Sequence, residues 1–239
     1  MVEYSPALAA WQTGPLGRAV VAAEAQLLAE ICDDVFGLEL LQIGSWGRGR
    51  ELLNTSRVRR QTMIAAAAPA GQSPDIVASA AGLPISSSTI DVVVLPHSLE
   101  IEPDPRAVLR EAERVLVGEG QLIVLGFRPW SLWGLRAAAS RTGYPPGVGR
   151  LLSERRLRDW LALLGFEVTA ARHYLHVAPR EPRDPCPSAL GMLRRGLFNP
   201  LPAGAYLLKA RKRVYAPTPL RLRRREHTPL VGSLVNPPA

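Results

Sequence analysis

Six residues, Gly44-Ser45-Trp46-Gly47-Arg48-Gly49, follow directly on the apolar run Leu40 to Ile43. Glycines behind a buried strand let the backbone turn sharply and let a ligand approach it without a side chain in the way. The spacing is G-x-x-G-x-G. A dinucleotide fingerprint requires G-x-G-x-x-G and an acid about 20 residues further on, whereas residues 60–74 contain no Asp or Glu. A P-loop requires Gly-Lys-Ser/Thr, which does not follow. Two readings stay open: a tight strand-to-helix turn without a ligand, and a cradle for a ligand of another kind.

A second group surrounds Pro96-His97-Ser98, directly after Thr89 to Leu95. An imidazole titrates near neutrality, so His97 could move a proton. The plain alternative is a hydrogen-bonded structural histidine at a strand end. Glu100 and Glu102 follow, and either face a substrate or stand in solvent. Asp91, at the start of the strand, reads as a structural acid.

The elements that must position these groups are legible as apolar patterns. Pro15 to Val35 reads as a helix, with Leu16, Val20, Leu27, Leu28 and Ile31 near the helical period and Glu24 among the interleaved polar residues. Leu40–Ile43, Gln61–Ala67, Asp75–Ala78, Thr89–Leu95, Gln121–Gly126, Phe166–Tyr174 and Ala205–Arg213 read as strands. TIDVVVL at 89–95 is β-branched and almost wholly apolar, as in the centre of a parallel sheet. Pro105 behind Asp104 starts a helix that runs to Val117. Ser131–Ser140 and Ser153–Leu164 read as further helices, with Trp130 and Trp133 packing at the first of them. Strands alternating with helices predict a doubly wound α/β fold, whose ligands sit beyond the carboxyl ends of the central strands. Gly44–Gly49 and Pro96-His97 both fall there.

The chain has 239 residues, 47% hydrophobic and 21% charged, which excludes a wholly disordered protein. Two cysteines, Cys32 and Cys186, exclude a disulfide scaffold. No run reaches the ~18 apolar residues of a membrane span, and the first residues carry no basic leader, so a cytoplasmic location is expected. Residues 1–204 hold 21 Lys and Arg against 20 Asp and Glu, while residues 205–239 hold 8 against 1. The positive charge therefore belongs to the last strand and the tail. Three regions are expected: a flexible arm over 1–13, a domain over 14–215, and a disordered basic tail over 216–239. Residues 179–204 read as an irregular insertion. The tail could make weak, salt-sensitive contact with nucleic acid.

Several segments agree in order and spacing with one known family. They are Leu83-Pro84-Ile85, Thr89 to Glu100, Pro103-Asp104-Pro105 with LREAERVL at 109–116, and Gly118-Glu119-Gly120 before QLIVLG. This order resembles the type-11 branch of class I S-adenosylmethionine-dependent methyltransferases. GFRPWSLWGLR at 126–136, DWLALLGFEV at 159–168 and YLLKARKR at 206–213 are similar to a little-characterised proteobacterial group within it. The resemblance covers residues 14–214. It implies a mostly parallel seven-stranded sheet with an antiparallel last strand, and S-adenosylmethionine as cofactor. It implies cofactor contacts from Gly44, Ser45, Trp46, Gly47 and Gly49 to the methionine part, from Ser79, Ala80 and Leu83 near the adenine, and from Pro96 and His97 near the sulfonium.

The chain departs from the family pattern at three acids. Gln42 and Ser79 stand where the family has carboxylates, and Thr62–Ala70 offers none for the ribose. The glycine turn is also one residue longer, with Trp46 inserted. The expected function is methyl transfer to a small-molecule acceptor. Its rival is a non-catalytic protein of the same fold that binds protein or RNA.

Overall fold

The computed structural model describes residues 5–33, 35, 37–48, 51–53, 58–67, 73–180 and 201–214. The chain begins with two helices, α1 (Pro6–Thr13) and α2 (Pro15–Cys32). Strands β1 (Glu39–Ile43), β2 (Arg60–Ala65), β3 (Ile76–Val77) and β4 (Ile90–Pro96) follow. After them come α3 (Ser98–Ile101), α4 (Pro105–Val115), β5 (Leu116–Phe127), α5 (Leu132–Ala139), α6 (Glu154–Leu163), β6 (Phe166–Tyr174) and β7 (Ala205–Lys212).

The strands form one seven-stranded sheet in the order β3-β2-β1-β4-β5-β7-β6. Strands β1 to β5 pair in parallel, and β7 lies antiparallel between β5 and β6. The fold is therefore the doubly wound α/β sheet with an antiparallel last strand expected from the sequence.

Strand side chains alternate between two cores, because successive residues point to opposite faces. Val92 and Val94 join Leu40, Ile123 and Leu125 under α2, where Val20, Leu27, Leu28 and Ile31 are buried. Val93 and Leu95 join Leu41, Ile43, Leu122 and Val124 under α4 and α6. Both faces are covered, which is why TIDVVVL has almost no polar residue. Asp104 caps α4, its carboxylate accepting from the backbone N–H groups of Arg106 (3.0 Å) and Ala107 (3.1 Å).

Three details differ from the sequence expectation. Residues 6–13 are not part of an arm but form α1, because Leu8 and Trp11, three residues apart, bury one face of a short helix begun by Pro6. Trp11 packs edge-on to Trp133 and Tyr144 and donates its indole N–H to the Tyr144 hydroxyl. Strand β5 begins at Leu116 rather than Gln121: Leu116 pairs with Ile90, and the register then shifts across Gly118-Glu119-Gly120. The four-residue helix α3 was not expected. Most of the irregular insertion and all of the basic tail lie outside the described residues.

Candidate functional site

Strands β1, β2 and β4 lie side by side and end together, at Ile43, Ala65 and Pro96. A cleft of about 180 Å3, open to solvent, occupies this edge. Gly44 and Ser45 line it from the glycine turn, Ala65, Ala66 and Ala67 from β2, and Pro96, Ser98, Ile101 and Glu102 from the end of β4. Ser5, Leu8 and Gly147 complete the lining.

Gly44 has φ of +97°, where L side chains are strained. A Cβ there would come within 2.5 Å of Ser98 Oγ. The Ser98 hydroxyl donates to the carbonyl of Ile43, tying α3 to the end of β1. Gly47 has φ of +77°, and a Cβ there would meet Val21 of α2 at 2.8 Å. Glycine is thus required at Gly44 by its positive φ and the close approach of Ser98, and at Gly47 by a close helix.

Two buried side-chain oxygens near the turn have no hydrogen-bond partner among the described residues: Ser45 Oγ and Gln42 Oε1. Gln42 uses its Nε2–H to bond the carbonyl of Gly44 at 3.0 Å. Buried polar atoms are nearly always paired, so such orphans call for a ligand or water. Among the described lining residues Glu102 is the ionisable one, and desolvation pushes its carboxyl up from the usual carboxylate range.

Beneath the cleft lies a charged network. His97, at φ of +56°, faces Glu24 Oε1 with Nε2 and Glu100 Oε2 with Nδ1, each at 2.9 Å. The backbone N–H of Phe127 donates to Glu100 Oε1 at 2.8 Å. The Tyr174 hydroxyl donates to Glu24 Oε1 and the Trp46 indole N–H to Glu24 Oε2, at 2.9 and 2.6 Å. The imidazole centroid lies 4.2 Å from those of the Trp46 and Phe127 rings, which also meet each other edge-on. Burial alone would lower the His97 pKa. The charge of Glu24 and the hydrogen bonds to Glu100 and Glu24 overcome this and raise it to about 9. His97 therefore donates from both ring nitrogens at neutral pH.

Of the residues the sequence put forward, Gly44, Ser45 and Pro96 are brought together at the cleft. Trp46 and His97 are not part of its lining: both are fully buried below it, because the indole and imidazole are drawn inward by Glu24. Gly47 is buried against α2. Ser79 is exposed, its hydroxyl accepting from the N–H of Ala81. Ala80 and Leu83 are buried in the core under α4, and the Leu83 N–H donates to Glu111. Gly49 lies outside the described residues.

Residues 58–124 match the family model described as "Methyltransferase domain". The chain is 33% identical over 172 residues to an uncharacterized protein of Escherichia coli K12, YafS, spanning 71% of this chain and 69% of that one. The chain belongs to the family of this relative and carries a match to the methyltransferase domain. An uncharacterized Mycobacterium tuberculosis protein, Rv2003c, is 34% identical over 178 residues, 71% of this chain but 61% of that longer one. The chain thus spans between three fifths and seven tenths of these relatives. Among solved structures, a Thermotoga maritima S-adenosylmethionine-dependent methyltransferase, described as a possible histamine N-methyltransferase, superimposes with a TM-score of 0.58. It shares 18% identity over 86% of this chain and 94% of its own, a likeness of fold.

Within this methyltransferase fold, sequence reasoning missed Glu24 and the lining role of Ser5 and Leu8, while Ser98 of the Pro96-His97-Ser98 segment does line the cleft. Glu24 carried a usable signal. It stands four residues after Val20 and three before Leu27, both buried, so the helical period puts it on the buried face.

Proposed function

We propose that the cleft binds S-adenosylmethionine and that the protein transfers a methyl group from it to a small-molecule acceptor. The observation that carries this reading is the unpaired, buried Ser45 Oγ on a glycine turn that lines a cleft at the carboxyl ends of the strands. The residues present fit the cofactor. Gly44 leaves room for the methionine part, and Ser45 Oγ can bond its amino or carboxylate group. Pro96 and Ala65 to Ala67 give apolar walls. When bound, S-adenosylmethionine supplies an electrophilic methyl group on a sulfonium. Transfer then needs an acceptor held in line with it, a matter chiefly of positioning. Glu102 offers a negative charge beside cationic ligand groups and an acceptor for a proton lost by the nucleophile.

A second reading is a non-catalytic member of the family with weak cofactor binding. It is favoured by the β2 side of the cleft, where Ala65, Ala66 and Ala67 bring no carboxylate. Calorimetric titration of the purified protein with S-adenosylmethionine and S-adenosylhomocysteine tests the first reading. Saturable binding of both is the expected outcome, and absence of heat for either rejects it in favour of the second.

A further inference from the structure

Glu24 lies on α2, which contributes no residue to the described lining of the cleft. Its carboxylate nevertheless reaches behind both cleft walls. Oε2 takes the indole N–H of Trp46, the residue next to Ser45 in the glycine turn. Oε1 takes the Nε2–H of His97, which stands between the lining residues Pro96 and Ser98. The far side of His97 is fixed by Glu100, itself anchored to the backbone of Phe127 in β5. All three ionisable side chains are buried, Glu24 and His97 completely. A buried charge network is a weak source of stability because its desolvation is costly. Its charge-assisted bonds are short and directional, however, and admit one arrangement of the groups they join.

We infer that Glu24 is a positioning residue: by holding Trp46 and His97 on one carboxylate, it fixes the gap between the glycine turn and the end of β4, and with it the affinity of the cleft for its cofactor. The inference rests on the reading of the cleft as an S-adenosylmethionine site. With Glu24 and Glu100 both ionised, both hydrogen bonds of the imidazole require it to be protonated, since a neutral ring has a single N–H; burial raises the Glu100 carboxyl, and its bond to His97 opposes that rise. The ionisable groups that face it are Glu24 from α2 and Glu100 from α3. Tyr174 of β6 and Tyr206 of β7 stand behind these carboxylates, and burial holds both phenols well above their ordinary range, so they stay neutral. Cofactor affinity should therefore fall as pH rises through about 9, where His97 loses its proton.

The test uses the full-length protein and S-adenosylhomocysteine as probe. Wild-type protein is titrated at several pH values beside Glu24→Gln, with circular dichroism confirming the fold of each. Glu24→Gln removes the charge that raises His97, so its affinity should drop by about tenfold or more, and its pH midpoint should move down, as expected for a lost charge-assisted bond. A purely structural role would lower the unfolding midpoint without moving the pH midpoint of binding. If Glu24→Gln does not fold, Trp46→Phe and Tyr174→Phe each remove one hydrogen bond to the same carboxylate. Only Trp46 belongs to the glycine turn, so only Trp46→Phe should weaken binding. Wild-type binding with unchanged affinity and pH midpoint in Glu24→Gln, or with equal effects of the two aromatic variants, overturns this inference alone. No binding by the wild type overturns the cofactor reading and this inference with it.

Discussion

His97 Nε2 stands 2.9 Å from Glu24 Oε1, with neither side chain exposed, although 73 residues separate them in the chain. The contact ties the first long helix to the end of the central strand. With Glu100 on the other ring nitrogen, it makes the protonated imidazole part of the folded state.

This has a pH signature. The His97 pKa rises from 6.5 unfolded to about 9 folded. Its contribution to stability is fully present below the unfolded value and is lost as pH rises through about 9. The loss is on the order of 3 kcal/mol. Urea unfolding of the wild type between about pH 6 and about pH 10 should show this decline. His97→Gln should be less stable throughout and nearly flat over the window. A wild-type curve as flat as that of the variant would contradict the network.

Gly44→Ala places a methyl group against Ser98 Oγ at a positive φ. The strained backbone should cost about 1–3 kcal/mol. Displacing Ser98 also loosens its bond to Ile43. Calorimetry should find S-adenosylhomocysteine binding abolished while circular dichroism still reports a folded protein.

Ser45→Ala separates ligand recognition from stability. The free protein loses a buried hydroxyl without a partner, so its stability should hold or rise by about 1 kcal/mol. Affinity for S-adenosylhomocysteine should fall by about fivefold or more, the worth of one hydrogen bond. A drop in stability with unchanged affinity would mean that the hydroxyl does not face the ligand.

Glu102→Gln removes the negative charge at the cleft wall. S-adenosylmethionine carries a sulfonium that S-adenosylhomocysteine lacks. Affinity for the former should fall by about threefold to tenfold more than for the latter, as for a screened, half-exposed charge pair. Competition binding with both compounds reads this ratio directly, and an unchanged ratio places the carboxylate away from the sulfonium.

Trp11→Ala tests whether α1 belongs to the domain. The ring is buried among Trp46, Trp133 and Tyr144. Its removal should cost about 3–5 kcal/mol, measured by urea unfolding. A change below about 1 kcal/mol is what a loose arm would give.

The sequence by itself determined the elements whose causes are local. Thr89 to Leu95 is a strand because a β-branched run buried on both faces has few other solutions. Asp104-Pro105 starts a helix because the carboxylate caps the N–H groups immediately after it. The glycine turn was legible because Gly44 follows a strand of apolar residues, and the similarity to the methyltransferase family supplied the place of the antiparallel strand. The tertiary structure alone decided the rest. The helical period puts Glu24 on the buried face of α2, but nothing near it names His97 or Trp46 as its partners. Trp46 and His97 read as cleft residues from their neighbours Ser45 and Pro96, yet a buried carboxylate draws both inward, since a charge without water must be paired. Leu8 and Trp11 supply too short a pattern to announce a helix, and α1 forms against aromatic rings at Trp46, Trp133 and Tyr144. Local order follows from neighbours in the chain, whereas a buried charge or ring takes its position from groups that only folding brings within reach.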